Sequence, residues 1–98
     1  MYLSMIIPAY NEAARIGRTL EQFTAYLSTR PWSWEIIVVD DGSTDTTWTL
    51  VQEAAKAGNV FGYRLNRNFG QQAAICAGLA KARGNAIAIM DGDGQDPP

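Results

Sequence analysis

Four short apolar runs divide the chain, and each is followed by a polar segment. They lie within residues 1–8, 35–39, 60–65 and 86–90, and the third is weaker because a glycine and an arginine interrupt it. Runs of this length bounded by Gly, Pro, Asn or Asp are typical of strands buried on both faces of a sheet. We therefore predict four strands, the first of which stops at Pro8.

The segments between these runs have helical spacing. Asn11 is a suitable N-cap for a helix whose apolar stripe is Ile16, Leu20, Phe23 and Leu27. Residues 46–57 and 71–83 predict two more helices, and a Gly-Asn pair follows each of them. The order β-α-β-α-β-α-β predicts an α/β fold, with a Rossmann-like parallel sheet, flanking helices and one domain over residues 1–98.

Polar motifs follow three of the predicted strands directly, after Pro8, Val39 and Met90. The carboxyl ends of parallel strands face one edge of a sheet, which is where ligands bind in open α/β folds. We therefore expect one crevice lined by Tyr10, Glu12, Asp41, Asp91 and Asp93.

The last strand leads into Asp91-Gly92-Asp93, where the glycine permits a bend that turns both carboxylates toward one point. Clustered oxygen ligands suit Mg²⁺ or Mn²⁺. A plain turn explains the same short motif and stays open as an alternative. A calcium loop of the EF-hand type is rejected, because Asp96 stands where that loop needs a glycine and the downstream glutamate ligand is missing.

Composition narrows the chemistry. The net charge is −2 without a Lys/Arg cluster, which argues against a nucleic-acid partner, and the absence of His leaves carboxylates to carry any acid/base or metal chemistry. No apolar run approaches the ~20 residues of a membrane span, and no basic region precedes the first one, so we expect a cytoplasmic location. The lone Cys76 is predicted to be a small core residue. Glycine-rich NAD and Walker patterns are absent, which excludes those nucleotide-binding classes.

Four segments resemble the successive motifs of family 2 nucleotide-sugar glycosyltransferases. They are residues 5–12 (Met-Ile-Ile-Pro-Ala-Tyr-Asn-Glu), 38–45 (Val-Val-Asp-Asp-Gly-Ser-Thr-Asp), 68–70 (Asn-Phe-Gly) and 90–98 (Met-Asp-Gly-Asp-Gly-Gln-Asp-Pro-Pro). The polyprenyl-phosphate branch, which includes enzymes similar to dolichol-phosphate mannose synthase, resembles the chain most. Four motifs in the right order make the resemblance far more specific than any single one.

The resemblance implies the N-terminal part of a GT-A fold and an inverting, metal-dependent transfer of sugar from UDP- or GDP-sugar to a lipid phosphate. It implies a full-length relative at the cytoplasmic face of a membrane. It assigns nucleotide-sugar contacts to Pro8, Tyr10, Glu12, Val39, Asp41, Asp91, Gly92 and Asp93. It makes Asp93 the catalytic residue and places Asp91, Asp93 and Gln95 around Mg²⁺ or Mn²⁺.

The family's catalytic domain continues well past this motif, so we expect residues 1–98 to be its donor-binding part, truncated on the C-terminal side and inactive alone. The last strand would then be an exposed edge that favours self-association. A non-catalytic nucleotide-sugar-binding fragment is one alternative. Another is a phosphotransferase of the haloacid dehalogenase type, which a phosphoryl-aspartate at Asp91 would support.

Overall fold

The computed structural model describes residues 1–90 and confirms the predicted order of elements. The elements are β1 (Tyr2–Ala9), α1 (Ile16–Ser28), β2 (Ser33–Asp40), α2 (Thr47–Ala55), β3 (Val60–Arg64), α3 (Gln71–Lys81) and β4 (Ala86–Ile89). The strands form one parallel sheet in the order β3-β2-β1-β4. The α/β, Rossmann-like prediction is therefore confirmed.

The two central strands are apolar on both faces because helices cover both. α1 and α2 pack on one face, where Ile16, Leu20 and Val51 join alternate residues of β1 and β2 in the larger core cluster. α3 packs on the other face over β1 and β2, with Ala74 against Ile6 and its neighbours. Trp32 and Trp34, which enter β2, pack against the larger cluster.

Two predicted boundaries at the start of the chain are wrong. β1 continues through Pro8 to Ala9, one residue past the predicted stop. α1 begins at Ile16 after Arg15, whereas Asn11 was predicted to cap it. Asn11 instead adopts a left-handed backbone (φ 52°), and its side-chain oxygen accepts a hydrogen bond from the N–H of Thr44. Asn tolerates that conformation better than most residues, so it serves a turn here.

The fourth strand lies at the edge of the sheet and is buried on one face only. Ala86 and Ala88 pack against the larger core cluster, but Ile87 and Ile89 are 46% and 48% exposed. The prediction of a buried strand therefore holds on one face only, because α3 lies over β1 and β2 and leaves the other face of β4 open. The expected exposed edge is present. Self-association through this edge stays a prediction.

α3 approaches the sheet closely through its small residues. Ala74 and Gly78 are its buried positions, and a Cβ on Gly78 would lie 2.5 Å from Cγ2 of Ile6. Cys76 is two residues from each of them, so it faces away from the sheet and is exposed. The prediction of a core cysteine is wrong for that reason.

A buried carboxylate, Glu35, lies at the amino-terminal end of β2 and is 1% exposed. Burial alone would raise its pKa, but hydrogen bonds from the Arg83 N–H and the Ser4 hydroxyl, together with the Arg83 guanidinium, outweigh that effect and hold the pKa of Glu35 below its ordinary value. Glu35 therefore stabilises the fold in its ionised form.

We predict that Gly78→Ala destabilises the protein and that Gly17→Ala does not. The new methyl group at position 78 would overlap Ile6 and push α3 from the sheet, at a cost of about 1–3 kcal/mol in the free energy of unfolding. At position 17, in α1, nothing lies within 4 Å of the added Cβ, and the better helix propensity of Ala should add about 0.5–1 kcal/mol. Urea unfolding of both variants measures the difference. Equal effects would show that α3 does not pack closely at Gly78.

We also predict that Glu35→Gln lowers the free energy of unfolding more at neutral pH than in acid. A lowered pKa means that the contribution of Glu35 is full above the pKa of the unfolded chain, about 4.3, and is lost as the pH falls through the lower folded pKa. The wild-type chain should therefore exceed the variant in stability at neutral pH by more than it does in acid. Urea midpoints across the acidic range measure the gap, and a gap independent of pH would contradict the prediction.

Candidate functional site

The carboxyl ends of β1 and β2 bring two loops side by side. Ala9 pairs with Asp40 in the ladder, and the N–H of Asp41 donates to the carbonyl of Ala9 at 2.8 Å. The loops that follow are residues 10–15 and residues 41–46. They leave the sheet at the same level, as the sequence predicts for parallel strands.

Side-chain hydrogen bonds join these two loops. The Asn11 N–H donates to Oγ of Ser43 at 2.8 Å, and the Thr44 N–H donates to Oδ1 of Asn11 at 2.9 Å. Further along, the Glu12 N–H donates to Oγ1 of Thr47 at 2.9 Å. The loop after β1 is therefore held in place by the loop after β2 and the start of α2.

Asp40, the first aspartate of its pair, organises its own loop. It is fully buried, and its Oδ1 accepts hydrogen bonds from both the N–H and the hydroxyl of Ser43. Nε of Arg64, from the neighbouring β3, lies 3.6 Å from its other oxygen. Asp40 is thus part of the fold beneath the site.

Asp45 accepts hydrogen bonds that hold the start of α2, much as Asp40 holds its own loop. A hydrogen bond from the Thr47 hydroxyl is the main cause that lowers its pKa, against a smaller opposing effect of burial. The N–H groups of Thr47 and Ala13 also donate to its carboxylate.

Asp41, the second aspartate, is 3% exposed and anchors the loop between β3 and α3. Its Oδ1 accepts the N–H of Phe69 at 2.9 Å, and its Oδ2 accepts the N–H of Gly70 at 3.0 Å and Nδ2 of Asn68 at 3.2 Å. A carboxylate offers about four acceptor positions, so these three bonds leave room for one donor from a ligand.

A pocket of about 230 Å³ opens at this edge of the sheet. It is lined by Pro8, Ala9, Tyr10, Glu12, Asp41, Asn68, Gly70 and Gln71. Four of these are predicted site residues: Pro8, Tyr10, Glu12 and Asp41. The structure therefore brings together all the predicted residues that follow β1 and the one that follows β2.

The other four lining residues, Ala9, Asn68, Gly70 and Gln71, were not predicted as site residues. Asn68 and Gly70 belong to the Asn-Phe-Gly motif, and Gly70 precedes α3 with φ 102°. The signal in the sequence was a glycine between a polar loop and a helix, at a position where the chain needs a positive φ.

Val39 is not among the lining residues. It is fully buried in the smaller core cluster, where its Cγ2 would lie 3.3 Å from a Cβ on Gly78. Its side chain faces α3, so a contact with a ligand in the pocket would be limited to its backbone.

The predicted residues Asp91, Gly92, Asp93 and Gln95 lie outside the described residues. Within residues 1–90, no group of three or more His, Cys, Asp or Glu side chains is close enough to hold a metal ion. The same part of the chain contains no helix long and apolar enough to cross a membrane.

A parallel sheet with a pocket at its carboxyl edge, lined by an aromatic residue and two carboxylates, is the usual arrangement of a ligand site in an open α/β protein. The family model of glycosyl transferase family 2 matches residues 4–98. The chain belongs to this family.

Known proteins agree with this assignment. The chain is 42% identical over 98 residues to an undecaprenyl-phosphate 4-deoxy-4-formamido-L-arabinose transferase of Pseudomonas fluorescens, and the match covers 98% of the chain and 29% of that relative. It therefore spans less than a third of the relative's length.

Solved structures share the fold. Residues 1–349 of TarS from S. aureus, in complex with UDP, superpose with a TM-score of 0.77 and 28% identity, over 95% of this chain and 28% of that chain. The mannosyltransferase PcManGT of Pyrobaculum calidifontis, in complex with GDP-Man and Mn²⁺, superposes with a TM-score of 0.75 and 27% identity, over 93% of this chain and 27% of that protein. The chain thus has the fold of the N-terminal part of GT-A glycosyltransferases, as the resemblance implied.

We predict that Gly42→Ala disturbs the wall of the pocket, whereas Gly58→Ala does not. Both glycines have positive φ, 71° and 97°, so Ala costs about 1–2 kcal/mol of backbone strain at either position. A Cβ on Gly42 would also lie 2.3 Å from the carbonyl carbon of Arg67, whereas nothing lies within 4 Å at Gly58.

Amide hydrogen exchange separates the two effects. Phe69 and Gly70 donate to Asp41, and their protection should fall in Gly42→Ala but stay unchanged in Gly58→Ala. Equal protection of these amides in both variants would show that the loop before α3 does not depend on Gly42.

Proposed function

We propose that this chain is the donor-binding part of an inverting, metal-dependent glycosyltransferase, which moves a sugar from UDP- or GDP-sugar to a polyprenyl phosphate. The observation that carries the proposal is the pocket in which Tyr10, Glu12 and Asp41 meet at the carboxyl edge of the sheet. Membership of glycosyl transferase family 2 supplies the class of reaction.

The pocket suits the nucleoside portion of a donor. Asp41 keeps one acceptor position for an N–H of a base, and Tyr10, 43% exposed, offers an aromatic ring beside it. Glu12 adds a carboxylate that can accept from a ribose hydroxyl. The walls of the pocket come from three loops that hydrogen bonds tie together, so the site is formed before the ligand arrives.

The diphosphate and the metal belong, in this proposal, to the segment after β4. Asp91 and Asp93, with Gln95, would hold Mg²⁺ or Mn²⁺ through oxygen atoms, the ligands that these ions prefer. A divalent ion there neutralises the charge of a diphosphate leaving group. Gly92 lies between the two carboxylates, and Asp93 is the proposed catalytic residue. PcManGT, in complex with GDP-Man and Mn²⁺, supports a divalent ion beside a nucleotide-sugar donor.

The acceptor is proposed from a relative. The similar P. fluorescens protein is named an undecaprenyl-phosphate 4-deoxy-4-formamido-L-arabinose transferase, which supports a lipid-phosphate acceptor. With such an acceptor, we propose that the whole enzyme acts at the cytoplasmic face of a membrane. Since the chain spans 29% of that relative, we expect donor binding from residues 1–98 and transfer only when the remaining part is supplied.

We predict metal-dependent binding of one donor nucleotide. Calorimetric titration of UDP-glucose and GDP-mannose into the purified chain, with Mn²⁺ and then with EDTA, measures it. Asp91→Ala and Asp93→Ala should each weaken binding with Mn²⁺ by about 10- to 100-fold, to near the affinity measured with EDTA.

Two further variants complete this titration. Asp41→Asn should weaken binding with and without metal, because Asn has one acceptor oxygen instead of two and places an NH2 donor where the second oxygen accepted. Glu53→Gln, on the exposed surface of α2, is the matched control and should bind as wild type. A donor affinity that neither EDTA nor the substitutions Asp91→Ala and Asp93→Ala change would contradict the metal role. No binding by the folded wild-type chain would contradict the donor site.

A further inference from the structure

We propose that Glu35 is a positioning residue, which sets the register of β4 on β1 and therefore the point from which the acidic segment after β4 starts. It lies at the opposite end of the sheet from the pocket and contacts no proposed ligand. The inference rests on the proposed function only for the metal role of residues 91 and 93.

Three segments of the chain meet at Glu35. The Ser4 hydroxyl, from β1, donates to Oε2 of Glu35 at 2.7 Å, and the N–H of Arg83 donates to the same oxygen at 2.8 Å. The Ser4 oxygen in turn accepts the N–H of Gly84 at 2.7 Å. Both Ser4 and Glu35 are buried. Two consecutive N–H groups just before β4 are thus bound to the two central strands.

The turn before β4 packs tightly against β1 at Gly84. A Cβ on Gly84 would lie 2.6 Å from both the Ser4 hydroxyl oxygen and the carbonyl oxygen of Tyr2. The next residue, Asn85, exchanges two hydrogen bonds of 2.9 Å with Tyr2, one through its N–H and one through its side-chain oxygen. This geometry leaves one position along β1 for the start of β4.

Arg83 adds a charged partner to the carboxylate. Its guanidinium lies 3.4 Å from Oε1 of Glu35 and 5.0 Å from the ring centre of Phe61 in β3. The side chain of Arg83 is more than half exposed, so screening limits the strength of this pair. The buried hydrogen bonds of Glu35 are the stronger constraint.

β4 needs this constraint because its own packing specifies the register weakly. It has four residues, of which the two facing the larger core are alanines and the other two are half exposed. A slip of one residue would exchange the two faces, so the packing of this strand specifies its register only weakly. It would, however, take the partly buried N–H groups of Arg83 and Gly84 away from their acceptors on Glu35 and Ser4, at the cost of those two hydrogen bonds.

The register of β4 at its amino-terminal end determines where its carboxyl-terminal end lies. The Met90 N–H donates to the carbonyl of Ile6 at 2.9 Å, and Asp91 follows directly in sequence. A slip of one residue moves the chain by about 3.3 Å along the strand. A slip would therefore move Asp91 and Asp93 together by several times the ~0.2 Å within which metal–ligand distances are held, away from their place relative to the pocket.

Hydrogen exchange of Glu35→Ala tests the inference on the purified chain without a ligand. The amides of Asn85 and Met90 donate to β1, whereas those of Asp41 and Leu65 report on the β1–β2 and β2–β3 pairs. We expect the Asn85 and Met90 amides to lose at least about tenfold more protection than the Asp41 and Leu65 amides. Equal losses at the four amides, or none, would overturn the proposal, because Glu35 would then act on overall stability alone.

Three other variants complete the test. Glu35→Gln keeps an oxygen that can accept from Ser4 and Arg83, so it should retain most of the protection of β4. Glu53→Ala removes an exposed glutamate of α2 and should change none of the four amides. Should Glu35→Ala fail to fold, Ser4→Ala removes the acceptor of Gly84 and carries the same expectation and the same overturning result.

Binding measurements then separate this inference from the proposed function. In Glu35→Ala, the affinity for donor with Mn²⁺ should fall about tenfold or more toward the value with EDTA, while the affinity with EDTA stays unchanged. If Mn²⁺ does not change the donor affinity of the wild-type chain, the proposed metal site is overturned. The hydrogen-exchange result would still decide the role of Glu35. A metal effect that is equal in wild type and Glu35→Ala would overturn the positioning role alone.

Discussion

The parallel pairing of β1 with β2 is the constraint on which the rest of the structure depends. The two strands stay in register over eight residues, from Tyr2 beside Ser33 to Ala9 beside Asp40. Both loops at the carboxyl edge therefore leave the sheet together and form hydrogen bonds with each other. At the opposite edge, the same register places Ser4 beside Glu35. A slip of one residue would turn every side chain of one strand to the other face and would disconnect both ends at once.

Most of the fold could be predicted from the alternation of apolar runs and helical stripes, because burial on both faces of a parallel sheet leaves a strong sequence signal. The errors occur where a tertiary contact overrides a local preference. Asn11 is a residue type that often caps helices, but its side-chain oxygen accepts a hydrogen bond from the N–H of Thr44 in the neighbouring loop. Cys76 lies in an apolar helix, yet the narrow contact through Ala74 and Gly78 turns it outward.

The site was predictable in part, for a related reason. Tyr10, Glu12 and Asp41 could be placed together because they follow strands whose ends must share an edge, whereas Pro8, which lies inside β1, was named only through the family resemblance. The hydrogen bond between Asn68 and Asp41 could not be predicted, because it joins residues 27 apart in the chain. Through this bond Asp41, a candidate ligand-binding residue, also stabilises the fold. Glu35 did leave a signal, as the one charged residue that opens a run of β-branched residues, but its partners at Ser4 and Arg83 depend on the packing of three segments.

The position of β1 in the middle of the sheet also has a consequence for the order of assembly. Its partner on one side lies about thirty residues along the chain, since Ser4 meets Glu35 at a separation of 31, whereas its partner on the other side meets it through Tyr2 and Asn85 at a separation of 83. Contacts between distant residues form late, because the connecting loop must be closed first. During synthesis, one side of the most buried strand therefore stays without a neighbour until Asn85, 83 residues after Tyr2, has been added, and a chaperone that binds extended apolar segments would find its target there.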